Sequence, residues 1–208
     1  MKKNINCPCG TNFQIEYDEE VDLDINPGKD GSALDKIFNG TFMSFKCAFC
    51  GKNHKPEFRI TIIWKSKNLK MNVLPELERG EFYRNKNHVD DIQTIISFPE
   101  MADRLSVIND NLEPVVIEAL KSLLLAKAAE NYPENDVNAW YYSKSLSFIE
   151  FHLDGIRLGE VAVMRIPNEL YEKTLDDFLK RPKDDFFSSL RVRSYLSVQN
   201  VMRPDALK

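Results

Sequence analysis

Apolar and polar positions alternate early in the chain. Phe13, Ile15 and Tyr17 recur at a spacing of two, which predicts a half-buried strand over residues 12–17 with a short partner over 5–7. An acidic stretch over 18–24 breaks the pattern and is expected to be a solvated connection. Ser32 then caps a short helix through Phe38, stopped by Asn39-Gly40. Residues 41–46 read as a strand. Phe58, Ile60, Ile62 and Trp64 fall on one face of another over 57–64, and Lys65-Ser66-Lys67-Asn68 turns it into a strand over 69–74.

The pattern lapses over 75–91, where a connection is expected, and a strand follows over 92–97. Pro99 and Glu100 open a helix to Asn109. The longest apolar stripe, Val115, Ile117, Leu120, Leu123 and Leu124, marks a helix over 112–130 with Pro114 in its first turn. Residues 132–142 look irregular and end in Trp140-Tyr141-Tyr142, an aromatic cluster expected to be packed rather than a recognition surface. Asp154-Gly155 separates strands over 146–153 and 158–166, with Phe148, Ile149 and Phe151 expected opposite Val161, Val163 and Ile166. Asn168 is expected to cap a helix toward Leu179, ended by Pro182. A last helix is expected over 184–201, anchored by Phe187, Leu190 and Leu196. The sum is an α+β protein. A zinc-ribbon-like antiparallel β module is expected over 1–74, and a region of two central helices, a hairpin and C-terminal helices over 92–208.

The 208 residues are 43% hydrophobic and 29% charged, enough apolar material for a core. The net charge of −4 argues against a general nucleic-acid binder, which needs clustered Lys and Arg. Glu16, Asp18, Glu19, Glu20, Asp22 and Asp24 would repel a phosphate backbone, and Lys65, Lys67 and Lys70 form only a short basic cluster. The expected partner is therefore a protein or a small molecule. No run approaches the roughly 18 apolar residues of a membrane span. With no apolar leader ahead of the cysteines, a soluble cytoplasmic protein is expected.

The cysteines alter this picture most. All four stand in two close pairs, Cys7-Pro8-Cys9-Gly10 and Cys47-Ala48-Phe49-Cys50-Gly51. Two thiolate pairs complete a tetrahedral shell around zinc, and a glycine after each pair lets the chain turn so that backbone N–H groups point at sulfur. Lys46 and Lys52 would offset part of the thiolate charge. The first pair is tighter than usual, with only Pro8 between its sulfurs. A reducing compartment argues against disulfides, and Cys47 has no thioredoxin-like βαβ setting. The reading is a structural Zn2+ held by Cys7, Cys9, Cys47 and Cys50.

Other chemistry is weaker. Asp22, Asp24 and Asn26 resemble the start of a calcium loop, but Pro27 and Ala33 stand where glycine and glutamate are required, so calcium is rejected. His54, His88 and His152 are scattered. His54 follows Cys50 closely enough to replace a poorly placed cysteine, and a zinc with an open position there could activate water. That metal-dependent hydrolase is the rival reading. No His-Glu-x-x-His, phosphate-loop, dinucleotide or Gly-x-Ser-x-Gly motif accompanies it, and no catalytic residue is assigned. His152, beside Glu150 and Asp154, reads as structural.

The chain resembles the CpXC family of bacterial and archaeal proteins. The resemblance rests on Cys7-Pro8-Cys9-Gly10 followed by Phe13, Asp24-Ile25-Asn26-Pro27, Phe38-Asn39-Gly40, and Phe45-Lys46-Cys47-Ala48-Phe49-Cys50-Gly51. Arg104-Leu105, Asn111-Leu112 and Ile117-Glu118-Ala119-Leu120-Lys121 extend it, over residues 5 to 125 in all. It implies a cysteine-rich, zinc-binding domain using the same four cysteines, and it brings no activity. The chain departs from the family by lacking one residue between Pro8 and Cys9. It also carries Ile62-Ile63-Trp64-Lys65-Ser66 where many members have a Tyr-His-Asp-like segment, so no histidine stands there.

Overall fold

The computed structural model describes residues 1–25, 31–85 and 92–202. Asn26 and Pro27 of the calcium comparison, and His88, lie outside them. The chain is α+β, and it divides into two compact units: Met1–Arg79 with Ile92–Phe98, and Gly80–Asp91 with Pro99–Lys208.

In the first unit, β1 (Lys2–Asn6) and β2 (Asn12–Glu16) form an antiparallel hairpin with Ile5 opposite Phe13. The acidic stretch is not merely a connection. Its residues Glu20–Asp22 form β3, and Ser32 caps α1 (Ala33–Phe38) through a reciprocal bond with Asp35. β4 (Phe45–Lys46) and β5 (Asn53–His54) make a second, shorter hairpin. β6 (Ile60–Trp64), β7 (Leu69–Leu74) and β8 (Gln93–Ile96) then build the sheet of this unit.

β6 and β7 pair antiparallel as the alternation predicts, with Ile60 opposite Val73 and Ile62 opposite Met71, all four buried. Asn68 supplies the left-handed residue that closes their turn. β3 and β8 flank this pair in parallel: Val21 against Ile62, and Val73 against Ile95. β3 escapes a reading by pattern because it is an edge strand of three residues with no fully buried side chain. Charge on such an edge discourages further pairing.

In the second unit the expected connection over 75–91 contains a helix, α2 (Arg79–Arg84), which buries Phe82 and Tyr83. α3 (Phe98–Asn109) and α4 (Pro114–Asn131) lie where the apolar stripes put them. β9 (Asn138–Lys144), β10 (Phe148–Asp154) and β11 (Ala162–Pro167) form an antiparallel sheet in the order β11-β10-β9. β9 replaces the expected irregular stretch. Ala139 and Tyr141 are buried while Tyr142 is exposed, so the aromatic run alternates after all. The hairpin register puts Ile149 opposite Ile166 and Phe151 opposite Met164, and Val163 faces away from the core opposite His152. One face of this sheet packs Tyr141, Ile149, Phe151 and Ile166 with Ile117, Leu120 and Leu124 of α4.

α5 (Asn168–Lys180) begins at Asn168, but Pro167 occupies the cap, and the Asn168 amide instead binds the carbonyls of Ser145 and Leu146. The expected single C-terminal helix is three pieces. α6 (Asp185–Ser189) is followed by a tight hairpin of β12 (Arg191–Val192) and β13 (Tyr195–Leu196), then by α7 (Gln199–Met202). Arg193, at φ +54°, turns the hairpin. Phe187, Leu190 and Leu196 are all buried, as expected.

The interior of this unit also holds charge. Lys121 Nζ lies 2.5 Å from Asp103 and 3.0 Å from Glu118, and Arg104 lies 3.3 Å from Glu118. Backbone groups complete the set: Tyr141 N–H donates to Asp103, Val198 N–H to Glu118, and Arg104 donates to the Leu196 carbonyl. Leu123, assigned by periodicity to the apolar stripe, is exposed.

Candidate metal centre

Each cysteine pair sits at the turn of one short hairpin. Cys7 follows β1, and its N–H donates to the Thr11 carbonyl while Gly10 N–H returns to the Cys7 carbonyl, both at 2.9 Å. The second turn repeats this pattern. Cys47 N–H donates to Lys52 O, and Gly51 N–H to Cys47 O, again at 2.9 Å. Gly10 and Gly51 have φ of +89° and +73°, a region that a side chain would strain.

These turns aim amide groups at sulfur. The backbone N–H of Cys9 is directed at the Cys7 sulfur, that of Thr11 at Cys9, and those of Cys50 and Phe49 at Cys47. The Thr11 hydroxyl adds a further hydrogen bond to Cys9. Thr11 was not singled out in the sequence, although a threonine two residues after a cysteine is placed for such a bond.

The four sulfurs converge. Cys7 and Cys50 are 3.5 Å apart, Cys9 and Cys47 are 3.8 Å apart, and all four lie within 4.8 Å of one another. A tetrahedral shell with Zn–S near 2.3 Å has edges of roughly 3.8 Å, so the spacing suits a metal of that size. Both members of the tight Cys7-Pro8-Cys9 pair belong to the quartet. Cys7 and Cys47 are buried, Cys9 and Cys50 are exposed, and no disulfide joins them.

Packing four thiols this closely separates their acidities. The Thr11 hydroxyl and N–H, with help from Cys7, draw Cys9 down to about 6. Cys47 is lowered chiefly by the Cys50 N–H. The Cys9 N–H pulls Cys7 down, but desolvation and the Cys9, Cys50 and Cys47 sulfurs outweigh it and push Cys7 up to about 12. A group of thiols that resists full ionisation by mutual repulsion is one that a dication relieves.

His54 stands beside the quartet rather than in it. Its Nε2 is 3.3 Å from the Cys7 sulfur, and its ring packs edge-on against Phe13 at 5.6 Å. β5 carries it there, opposite Phe45 in the second hairpin. His152 is far from this chemistry along the chain. It bonds Glu150 at 3.3 Å and stacks on Tyr142 at 3.9 Å. Among the described residues, no other group of three or more His, Cys, Asp or Glu side chains is arranged to hold a metal ion, and no helix is long and apolar enough to cross a membrane.

Comparison with known proteins supports the same region. A family model described as CpXC protein matches residues 5–121, which take in both cysteine turns, α3 and the first half of α4. An uncharacterized protein of Treponema pallidum (strain Nichols) is similar along nearly its whole length, 27% identical over 218 aligned positions that cover 95% of this chain and 97% of that protein. No solved structure matches.

Proposed function

Because the chain belongs to the CpXC family, we propose that it is a zinc-stabilised binding or interaction protein in which the metal is structural. Cys7, Cys9, Cys47 and Cys50 would hold the ion. The observation that carries this reading is the convergence of four sulfurs from two hairpins 38 to 43 residues apart in sequence, with amide groups aimed at them. Zinc in such a site supplies folding free energy by cross-linking short elements that cannot build a core of their own. Neither hairpin has more than a small apolar interior, and the second has strands of only two residues.

A hydrolytic zinc needs an open position for water. Four converging sulfurs favour a closed shell, and the His54 contact with Cys7 suits a hydrogen-bond donor to a thiolate. The partner is a protein or a small molecule in the reducing cytoplasm, not a nucleic acid. The exposed Glu16, Asp18, Glu19 and Glu20 support this by their charge. Tight binding to unrelated oligonucleotides at about 150 mM salt, weakening as salt rises, would contradict that part.

The test of the centre is metal analysis with thiol titration on protein made under reducing, zinc-replete conditions. The expected result is one zinc per chain and four thiols protected until the metal is chelated. Protein free of tightly bound transition metal, with four freely titrating thiols, would overturn the proposal.

A further inference from the structure

The second unit contains a pocket of about 330 Å3 in the C-terminal region, at the small end of the roughly 300–1,000 Å3 spanned by ligand sites. One part of its wall is apolar, formed by Val115 from α4, Phe178 from α5, Pro182 from the following turn and Phe187 from α6, and Ser188 adds a hydroxyl beside them. Phe178 and Phe187 meet edge to face at 5.3 Å, which fixes the shape of that wall. Arg191 from β12 and Arg193 from the turn that follows it complete the lining.

The charge at this rim is one-sided. Arg193 donates to the backbone carbonyls of Asn85 and Phe82 and lies over the Phe82 ring at 3.9 Å, so it is held in place without a carboxylate. Among the described residues, no carboxylate pairs with Arg191 either. Arg104, whose charge acts on Arg191, pairs with Glu118 of α4, and its Nη1 is buried with no hydrogen bond. Desolvation, with the nearby Arg104 charge, lowers Arg191 from its ordinary value, although Glu113 partly opposes this. Glu113 is itself engaged as the cap of α4 through Val115 N–H. Of the nearby acids, Asp177 of α5 and Asp184 of the turn after it are within ion-pair reach of Arg181.

A pocket with an apolar wall and two guanidinium groups that no carboxylate among the described residues pairs with directly is complementary to an amphiphilic anion. We propose that this pocket binds a small organic carboxylate, its apolar body between Val115, Phe178 and Phe187 and its head on Arg191, with Arg193 adding charge. Arg191 supplies a planar fork that matches a carboxylate, which a lysine would not reproduce. This site is independent of the cysteine centre and does not rest on the reading of that centre.

The test is calorimetric titration of the full, metal-loaded chain with octanoate, octanol and octylamine, with amide chemical shifts recorded in parallel. Octanoate should bind at least tenfold tighter than octanol, and octylamine weaker still. The shifts should centre on Val115, Phe178, Phe187 and Arg191. Arg191→Met should weaken octanoate at least tenfold while leaving octanol unchanged, and the exposed Arg181→Met should change neither. Arg191→Lys should recover only part of the loss, which separates lost charge from damage to the fold. Equal binding of octanoate and octanol, no octanoate binding at millimolar concentration, shifts centred elsewhere, or an Arg191→Met variant that binds as the wild type does would each overturn the proposal.

Discussion

His54 Nε2 lies 3.3 Å from the sulfur of Cys7, closer than Cys7 lies to Cys50 at 3.5 Å. If the four sulfurs that lie within 4.8 Å of one another hold the proposed metal, the expectation is that the imidazole acts on it through Cys7 rather than as a ligand. Partners of this kind orient ligands and adjust their basicity, and their loss typically weakens metal binding about 10–100-fold. His54→Ala should keep one zinc per chain but lose affinity by that factor in competition with a chromogenic chelator. A fall to substoichiometric metal at saturating zinc would instead make His54 a ligand.

Cys50→Ser should act mainly on folding. Metal-linked folding in small zinc modules is on the order of 10 kcal/mol or more, well beyond an ordinary side-chain effect. Hydrogen exchange should show lost protection in β1, β2, β4 and β5, with β9 to β11 still protected. An unchanged N-terminal region would refute a structural role for the site.

Lys121 answers to two carboxylates in an interior where all three side chains are under a tenth exposed. Removing one partner of a buried ion pair leaves an uncompensated charge and costs about 3–5 kcal/mol. Lys121→Met should therefore lower the urea midpoint sharply. A loss below about 1 kcal/mol would mean that Asp103, already pushed upward by desolvation, takes up a proton at little cost.

Acid should loosen the β6–β7 turn. Asp24 accepts hydrogen bonds from the Ser66 hydroxyl and N–H, and Asp22 pairs with Lys65 at 2.6 Å. The Ser66 hydroxyl chiefly holds Asp24 below the usual carboxylate range, and the Lys65 hydrogen bond does the same for Asp22. A carboxylate lowered by folding contributes stability above its unfolded value, near 4, and loses it as pH falls through the lowered folded value. Asp24→Asn should thus be less stable than wild type at pH 7 and approach it at pH 3. A difference that persists unchanged at pH 3 would assign the effect to packing.

The elements legible from the chain are those whose pattern is local. Alternation in Ile60, Ile62 and Trp64 needs only one buried face to declare a strand, and Ser32 with Asp35 caps α1 within four residues. Cysteine spacing and trailing glycines likewise announce a thiol cluster, because chelation by a pair is a short-range property of the turn. Periodicity failed where burial comes from distant partners. β3 is a strand because β6 offers it hydrogen bonds, and β9 because its aromatics are divided between the core and the open face of the sheet.

The sequence by itself determined an α+β chain with two paired-thiol turns, since both follow from residue order over a few positions. Tertiary structure alone decided that Cys7 and Cys9 both reach the quartet and that His54 stands on Cys7. It likewise decided that Glu118 and Lys121, charged residues inside an apolar helix, belong in the interior. Arg104 and Asp103 come from a different helix, and their backbone partners lie 20 or more residues beyond Lys121. Burial of a charge becomes tolerable only when its counter-charge and hydrogen bonds arrive from elsewhere in the chain, and no local pattern records that arrival.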